Sequence, residues 1–295
     1  MSIQRIAITG ASGLIGSALV GKLKSDGYTV QRLVRRPTVS SEEIYWNPLE
    51  SKVDLEALAG VDAVIHLAGA GVGDKRWTKK YKSEILNSRL LGTTTIANAV
   101  AEVKPQVFIS SSAIGWYGET GNRAVIESDR GGDDFLAAVC REWESAADLA
   151  GDIRTVKIRT GLVLDPTGGA LGRMLPLFRF GLGGKLGNGK QWWSWITLHD
   201  HLRAIEFLLE NKEISGPVNL TSPNPVTNQE FTSALARALR RPALLPAPAF
   251  ALKLALGGFS TEILGSKKVL PNVLQEAGFN FDFPHIGPAL DALAD

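Results

Sequence analysis

The chain has one cysteine, Cys140, among 295 residues. No intrachain disulfide and no multi-cysteine metal site can form, and the scarcity of thiols fits a reducing compartment. Histidine is scarce too. Of His66, His199, His201 and His285, only His199 and His201 are neighbours, flanking Asp200. Two histidines are too few for zinc, so no metal is expected, and Asp200 reads as the N-cap of a following helix. Neither sign of charge dominates: 32 basic residues face 30 acidic ones, for a net charge of +2. That balance gives no reason to expect nucleic acid or an anionic membrane as partner. No stretch approaches the ~18 uninterrupted apolar residues of a membrane span. The opening Ser2-Ile-Gln-Arg5 runs into a strand-like segment without an apolar leader of about 7–15 residues. A cytoplasmic protein is expected. Lysine is missing locally: none occurs between Lys104 and Lys157.

Glycine, by contrast, is abundant, with 31 copies and no collagen-like period. At 44% hydrophobic and 21% charged, the composition is that of an ordinary globular chain. Strand and helix signals alternate through the first two-thirds. Ile6–Thr9, Tyr28–Val34, Ala63–Ala68, Gln106–Ser111 and Thr155–Leu164 read as strands. Helices are expected after Gly13, from about Lys75 to Ala101, and over 133–150. Such alternation implies an α/β fold, a doubly wound parallel sheet with helices on both faces. After about residue 165 the texture becomes irregular. The expected division is 1–165 for the sheet domain and 166–295 for a smaller, α-rich substrate side. Segments near 192–220 would return to the first part, and a helical module would span 243–295.

The first strand leads through Thr9-Gly10-Ala11-Ser12-Gly13-Leu14-Ile15-Gly16 into the first helix. Glycines spaced G-x-x-G-x-x-G let backbone approach a pyrophosphate, and a helix N-terminus offers free N–H groups and partial positive charge. Gly10, Ser12, Gly13, Leu14, Ile15 and Gly16 are therefore expected at a dinucleotide. An NAD site usually carries a carboxylate about 20 positions on, for the ribose 2′-hydroxyl. Here Arg35 and Arg36 follow the second strand, and a guanidinium suits a 2′-phosphate. NADP(H) is expected as cofactor. The alternative is a pair of solvated loop arginines.

These residues resemble the extended short-chain dehydrogenase/reductase superfamily. Thr9–Gly16 matches its T-G-x-x-G-x-x-G opening, His66-Leu67-Ala68 its third-strand end, and Ser111-Ser112 to Tyr117-Gly118 its S-S-x-x-x-Y-G segment. More closely, the chain resembles an atypical branch, the epimerase family proteins. The matching segments are Trp77 to Ser88-Arg89-Leu-Leu-Gly-Thr93, Phe135-Leu136 to Trp143-Glu144, Gly181 to Trp195-Ile196, and Leu245-Pro-Ala-Pro248 through Gly278-Phe279. The resemblance implies an NAD(P)-binding Rossmann fold, cofactor contacts at Leu67, Ala68, Gly69 and Leu162, and a substrate contact at Ser112.

In the superfamily a Tyr-x-x-x-Lys pair moves the proton, the lysine lowering a tyrosine pKa that is otherwise near 10. This chain departs from that pattern. Tyr117 is followed four residues on by Gly121, and the lysine slot falls near Val139 or Cys140. Tyr117 reads as packing or as a substrate neighbour, and Cys140 as a small buried hydrophobe. Arg89 lies within a stripe running from Trp77 through Tyr81, Ile85, Gly92 and Ile96 to Val100. A charge on such a face needs an anionic partner, so Arg89 is expected at the cofactor or at an acidic substrate group, with Glu84 at a ribose. Gly184–Lys190 looks like a P-loop but ends in Gln191, without the hydroxyl that holds Mg²⁺. It reads as a flap. Trp192 and Trp193 are expected to wall the substrate. Two functions remain: an NADP(H)-dependent oxidoreductase or epimerase-like enzyme acting on a small molecule, or a non-catalytic NADPH-binding protein acting through a protein partner.

Overall fold

The computed structural model describes residues 2–294. The centre is an eight-stranded sheet. Strands β1 (Arg5–Thr9), β2 (Thr29–Val34), β3 (Glu43–Asn47) and β4 (Lys52–Val53) run outward on one side. Strands β5 (Ala63–His66), β6 (Val107–Ala113), β8 (Thr155–Thr160) and β12 (Gly216–Leu220) run outward on the other. All neighbours pair in parallel except β3 with β4. The order in which strands are added reverses between β1 and β5. In doubly wound sheets that switch point opens a crevice at the carboxyl ends of the strands.

Helices cover both faces. Helices α1 (Leu14–Ser25) and α6 (Leu198–Glu210) pack on one side, where Leu19, Leu23, Ile205 and Leu208 meet Ile6, Ile8, Ile65 and Val156. Helix α3 (Lys79–Val103) lies on the other, with Ile96 and Val100 against Ala7, Val64 and Phe108. The long helix starts at Lys79 rather than near Lys75, because the Thr78 hydroxyl accepts from Tyr81 N and fixes the N-cap. Short α2 (Leu55–Leu58) and α4 (Phe135–Ala147) complete this half. The strand 43–47 carries no strong alternation, and the sequence reading missed it. Its register beside β2 places Glu43 opposite Arg32.

The second half forms its own apolar cluster from α5 (Gly169–Arg179), α7 (Asn228–Ala238) and α11 (Ile286–Ala294), with Trp195 and Phe231 at its centre. Three two-stranded pairs tie it together: β9 (Leu162–Asp165) with β11 (Trp195–Thr197), β10 (Trp192–Trp193) with β13 (Val226–Thr227), and β7 (Ala124–Val125) with β14 (Lys268–Val269). Helices α8 (Ala249–Leu256), α9 (Ser260–Leu264) and α10 (Asn272–Glu276) make up the C-terminal stretch. Among the described residues, no helix is long and apolar enough to cross a membrane.

Candidate functional site

Thr9 ends β1 and locks it to β5. Its Oγ1 lies 2.7 Å from His66 Nδ1 and accepts from the N–H groups of Leu67 and Ala68 at 3.1 and 3.3 Å. The glycine loop then turns tightly against this segment. Gly10 has φ +70°, and a Cβ there would lie 2.7 Å from the Leu67 carbonyl carbon. A Cβ on Gly16 would fall 2.1 Å from Gly10 O. Glycine is thus required at both positions by backbone contact. Gly13 is the N-cap of α1, and no side chain caps the helix. Its first-turn N–H groups are left for an external acceptor. A feature the sequence reading did not use lies beside it. Gly168 and Gly169 pack on Leu14, where a Cβ on Gly168 would sit 3.1 Å from Leu14 Cδ1. They begin α5, a second helix without a side-chain cap.

The two arginines after β2 behave differently. Arg36 grips Glu43 with two bonds, Nη2 to Oε1 at 2.6 Å and Nη1 to Oε2 at 2.9 Å. Arg32 adds a third contact at 3.1 Å. Arg36, backed by the Val39 N–H, holds Glu43 down to about 2. Arg36 is therefore already committed, a correction to the expectation that both arginines stand open to a phosphate. Arg35 is exposed and has no ion pair among the described residues.

Arg89 lies against the segment after β5. Its Nη1 donates to Ala70 O at 2.9 Å and Ile85 O at 3.1 Å, and its guanidinium stands 4.7 Å from the Trp143 ring centre. A Cβ on Gly69 would meet its Cζ at 3.5 Å. Burial lowers its pKa, and no carboxylate among the described residues compensates it. Glu84 is on the solvent side, 3.4 Å from Lys75 Nζ.

Ser112 and Tyr117, expected at a substrate, are both buried. Both side chains are interior and belong to one closed network. The Ser112 hydroxyl donates to Glu144 Oε1 at 2.6 Å. Arg159 binds the same carboxylate bidentately, Nε to Oε1 at 2.8 Å and Nη2 to Oε2 at 2.9 Å. Its Nη1 donates to the Tyr117 hydroxyl at 3.0 Å, and that hydroxyl donates to Asn219 Oδ1 at 2.8 Å. Trp116 covers the guanidinium at 4.0 Å. Burial pushes Tyr117 up to about 12. Both hydroxyls spend their donor hydrogens within this network. The lysine slot is apolar, since Val139 and Cys140 are both buried and desolvation raises the thiol to about 12.

Leu162 opens β9, opposite Trp195. Trp193 packs on Phe231 at 5.2 Å, in the second apolar cluster, while Trp192 donates to Asn122 and carries Lys268 4.0 Å above its ring. Phe231 belongs to the core of the C-terminal half, so Trp193 packs against that core, while Trp192 bridges Asn122 of the first half and Lys268 of the second. The 181–189 segment is not a loose flap. Gly187 N bonds Ala247 O, and Leu186 N bonds the buried Asn228. The N-cap of α6 is Thr197, not Asp200. Asp200 instead accepts from Arg203, Asp282 N and Phe283 N, anchoring the C-terminal stretch. His199 lies 2.7 Å from Asp282 at the surface. A cleft of ≈ 660 Å³ lies between the end of α1, α6 and 278–280, where Lys22 pairs with both Asp26 and Glu206. It is remote from the glycine loop.

Two buried histidines carry a pH signature. Desolvation holds His66 and His201 down to about 3. Because the folded value lies below the unfolded one, their contribution is complete above pH ~6.5 and is lost as pH falls. Each is expected to cost about 1.4 kcal/mol per pH unit on acidification below that point. Melts recorded between pH 7.5 and 5.5 check this, and a pH-independent unfolding free energy over that range would refute it.

A glycine loop at the switch point of a doubly wound parallel sheet defines the NAD(P)-binding Rossmann fold. The NAD dependent epimerase/dehydratase family model matches residues 6–137, and a domain of unknown function (DUF1731) matches 247–293. An epimerase family protein of Mycobacterium leprae is 45% identical over 97% of this chain and 94% of its own length. The chloroplastic SDR39U1 homolog of Arabidopsis thaliana is 38% identical over 99% and 87%. A crystal structure of human epimerase family protein SDR39U1 with NADPH superposes with a TM-score of 0.92 at 32% identity, covering 99% of both chains. The chain belongs to the epimerase family proteins, an atypical branch of the short-chain dehydrogenase/reductases.

Proposed function

We propose that this protein binds NADP(H) along the carboxyl edge of its sheet and acts as an oxidoreductase or epimerase-like enzyme on a small molecule. The observation carrying the cofactor reading is the Gly10–Gly16 cradle, which a single Cβ would fill, beneath an uncapped helix. The N–H groups of Leu14, Ile15 and Gly16 donate to the pyrophosphate, with Ser12 and Gly13 completing the turn. Arg35 takes the 2′-phosphate, and Arg36 stiffens that loop through Glu43. Leu67, Ala68, Gly69 and Leu162 line the groove. Arg89 presents its uncompensated guanidinium to the dinucleotide, and Glu84, on releasing Lys75, is the carboxylate proposed for a ribose. When bound, the cofactor supplies hydride. The human relative's NADPH supports this choice of nucleotide. A cytoplasmic location accords with the single buried thiol.

The closed network around Ser112 favours a second reading, a non-catalytic NADPH-binding protein whose bound state is read by a protein partner. Its proton-transfer groups are paired to one another rather than turned to a ligand. Identifying the copurifying nucleotide and assaying NADPH oxidation against a panel of carbonyl compounds separates the two. Turnover supports the enzyme; tight binding without turnover, unaltered in Ser112→Ala, supports the second reading.

Arg35→Ser is expected to weaken NADPH by about tenfold, the worth of one charge-assisted contact, and to leave NADH nearly unchanged. Fluorescence titration with both nucleotides measures it. Equal losses for the two would remove Arg35 from the 2′-phosphate.

A further inference from the structure

The near-neutral net charge averages over a segregated distribution. No aspartate or glutamate occurs in 166–199 or in 231–261, while these segments hold Arg173, Arg179, Lys185, Lys190, Arg237, Arg240, Arg241 and Lys253. The rest of the chain is net acidic, with 24 basic against 30 acidic residues. The same segments concentrate apolar exposure. Among the described residues, seven of the eleven large exposed hydrophobic side chains fall within 177–182 and 244–254. Phe180, Leu244, Phe250 and Leu254 are each at least 75% exposed. Helix α8, Ala249–Leu256, is apolar at seven of its eight positions and buries none of them.

The segments adjoin. Leu245 N bonds Gly183 O, Ala247 N bonds Lys185 O, and Gly181 approaches the Pro242 ring. Phe180 and Leu182 at the end of α5 therefore lie beside the run leading into α8. Arg179, Lys185, Arg240, Arg241 and Lys253 interleave with these apolar side chains, and none makes an ion pair among the described residues.

We infer that this face, the end of α5 with 240–254, docks peripherally on an anionic lipid surface, its apolar side chains entering the headgroup boundary and its arginines and lysines meeting lipid phosphates. Exposed apolar patches of this kind mark interaction sites. A helix with apolar side chains beside basic ones suits an interface that is oily below and anionic above. A second copy of the chain is a poorer occupant. A two-fold interface would press this face against itself, basic residues among basic residues with no acid to separate them.

Cosedimentation of the full chain with phosphatidylcholine vesicles, with and without about one-third phosphatidylglycerol, tests this. Binding is expected only to the anionic vesicles and to fall in high salt. Each cation at such a surface multiplies partitioning by about fivefold, so Arg240→Ser/Arg241→Ser should lose about 25-fold. Phe250→Ser/Leu254→Ser should abolish binding while leaving the melting transition in place, since these side chains are not packed. Failure to bind anionic vesicles, or equal binding to neutral ones, overturns the inference. So does a dimer in light scattering that the Phe250→Ser/Leu254→Ser variant converts to monomer while wild type ignores vesicles, which would assign the face to a second copy.

Discussion

Arg159→Met is expected to destabilise the protein by about 3–5 kcal/mol, the range for breaking a buried ion pair from one side. Arg159 is 2% exposed, and its guanidinium satisfies both oxygens of Glu144, itself 6% exposed. Burial alone would lower the Arg159 pKa, but its bonds to Glu144 outweigh that and the net shift is upward. Removing the cation strands a carboxylate that keeps only the Ser112 hydroxyl, and deprives Tyr117 and the Glu127 carbonyl of a donor. Methionine fills much of the volume, so the loss reports charge rather than a cavity. The double variant Glu144→Gln/Arg159→Met should recover part of it, because no bare charge remains. Urea midpoints of wild type, Glu144→Gln, Arg159→Met and the double variant measure the coupling. A loss below about 1 kcal/mol in Arg159→Met would mean that water already solvates the pair.

The glycine loop carries the other large effect. Gly16→Ala places a methyl 2.1 Å from Gly10 O and 2.8 Å from Gly10 C, both backbone atoms that no rotamer change can move aside. Either the start of α1 lifts off β1 or Gly10 shifts against Leu67, where space is already taken. Overpacking of this kind costs about 1–3 kcal/mol. The N–H groups of the first turn lose their aim as well, and affinity for NADPH should fall by about a hundredfold or more, on the order of 3 kcal/mol. Gly13→Ala is the control. Its Cβ would lie 3.4 Å from Gly10 O, an ordinary contact, so the loss should be much smaller. Equal affinities for NADPH in wild type and Gly16→Ala would place the nucleotide elsewhere.

Local signals were legible where one short segment makes the whole feature. The alternating strands and helices, the loop at Gly10–Gly16 and the missing Tyr-x-x-x-Lys pair all depend on neighbours within a few turns. Features built across the sheet were not. Ser112 and Tyr117 look like chemistry in a local motif, yet Glu144, 32 residues past Ser112, takes the serine hydroxyl. Asn219, 102 residues past Tyr117, takes the tyrosine. Asp200 satisfies an N-cap pattern, but Thr197 sits where the backbone turns, and Asp200 is drawn to Asp282 and Phe283. Gly168 and Gly169 stood out only as composition until they were seen against Leu14.

By itself the sequence determined the parallel α/β architecture, because apolar periodicity and glycine placement act over single elements. It also determined that no Tyr-x-x-x-Lys pair is present. The tertiary structure alone decided which charges are free. Arg35 and Arg36 are adjacent in sequence, and only the register of β3 beside β2 brings Glu43 to one and leaves the other open. Likewise the acid-free stretches 166–199 and 231–261 are remote in sequence and become one basic, apolar face only when 183–187 lies along 245–247. Ionic and apolar contacts act through space, so their partners are fixed by the fold and not by proximity along the chain.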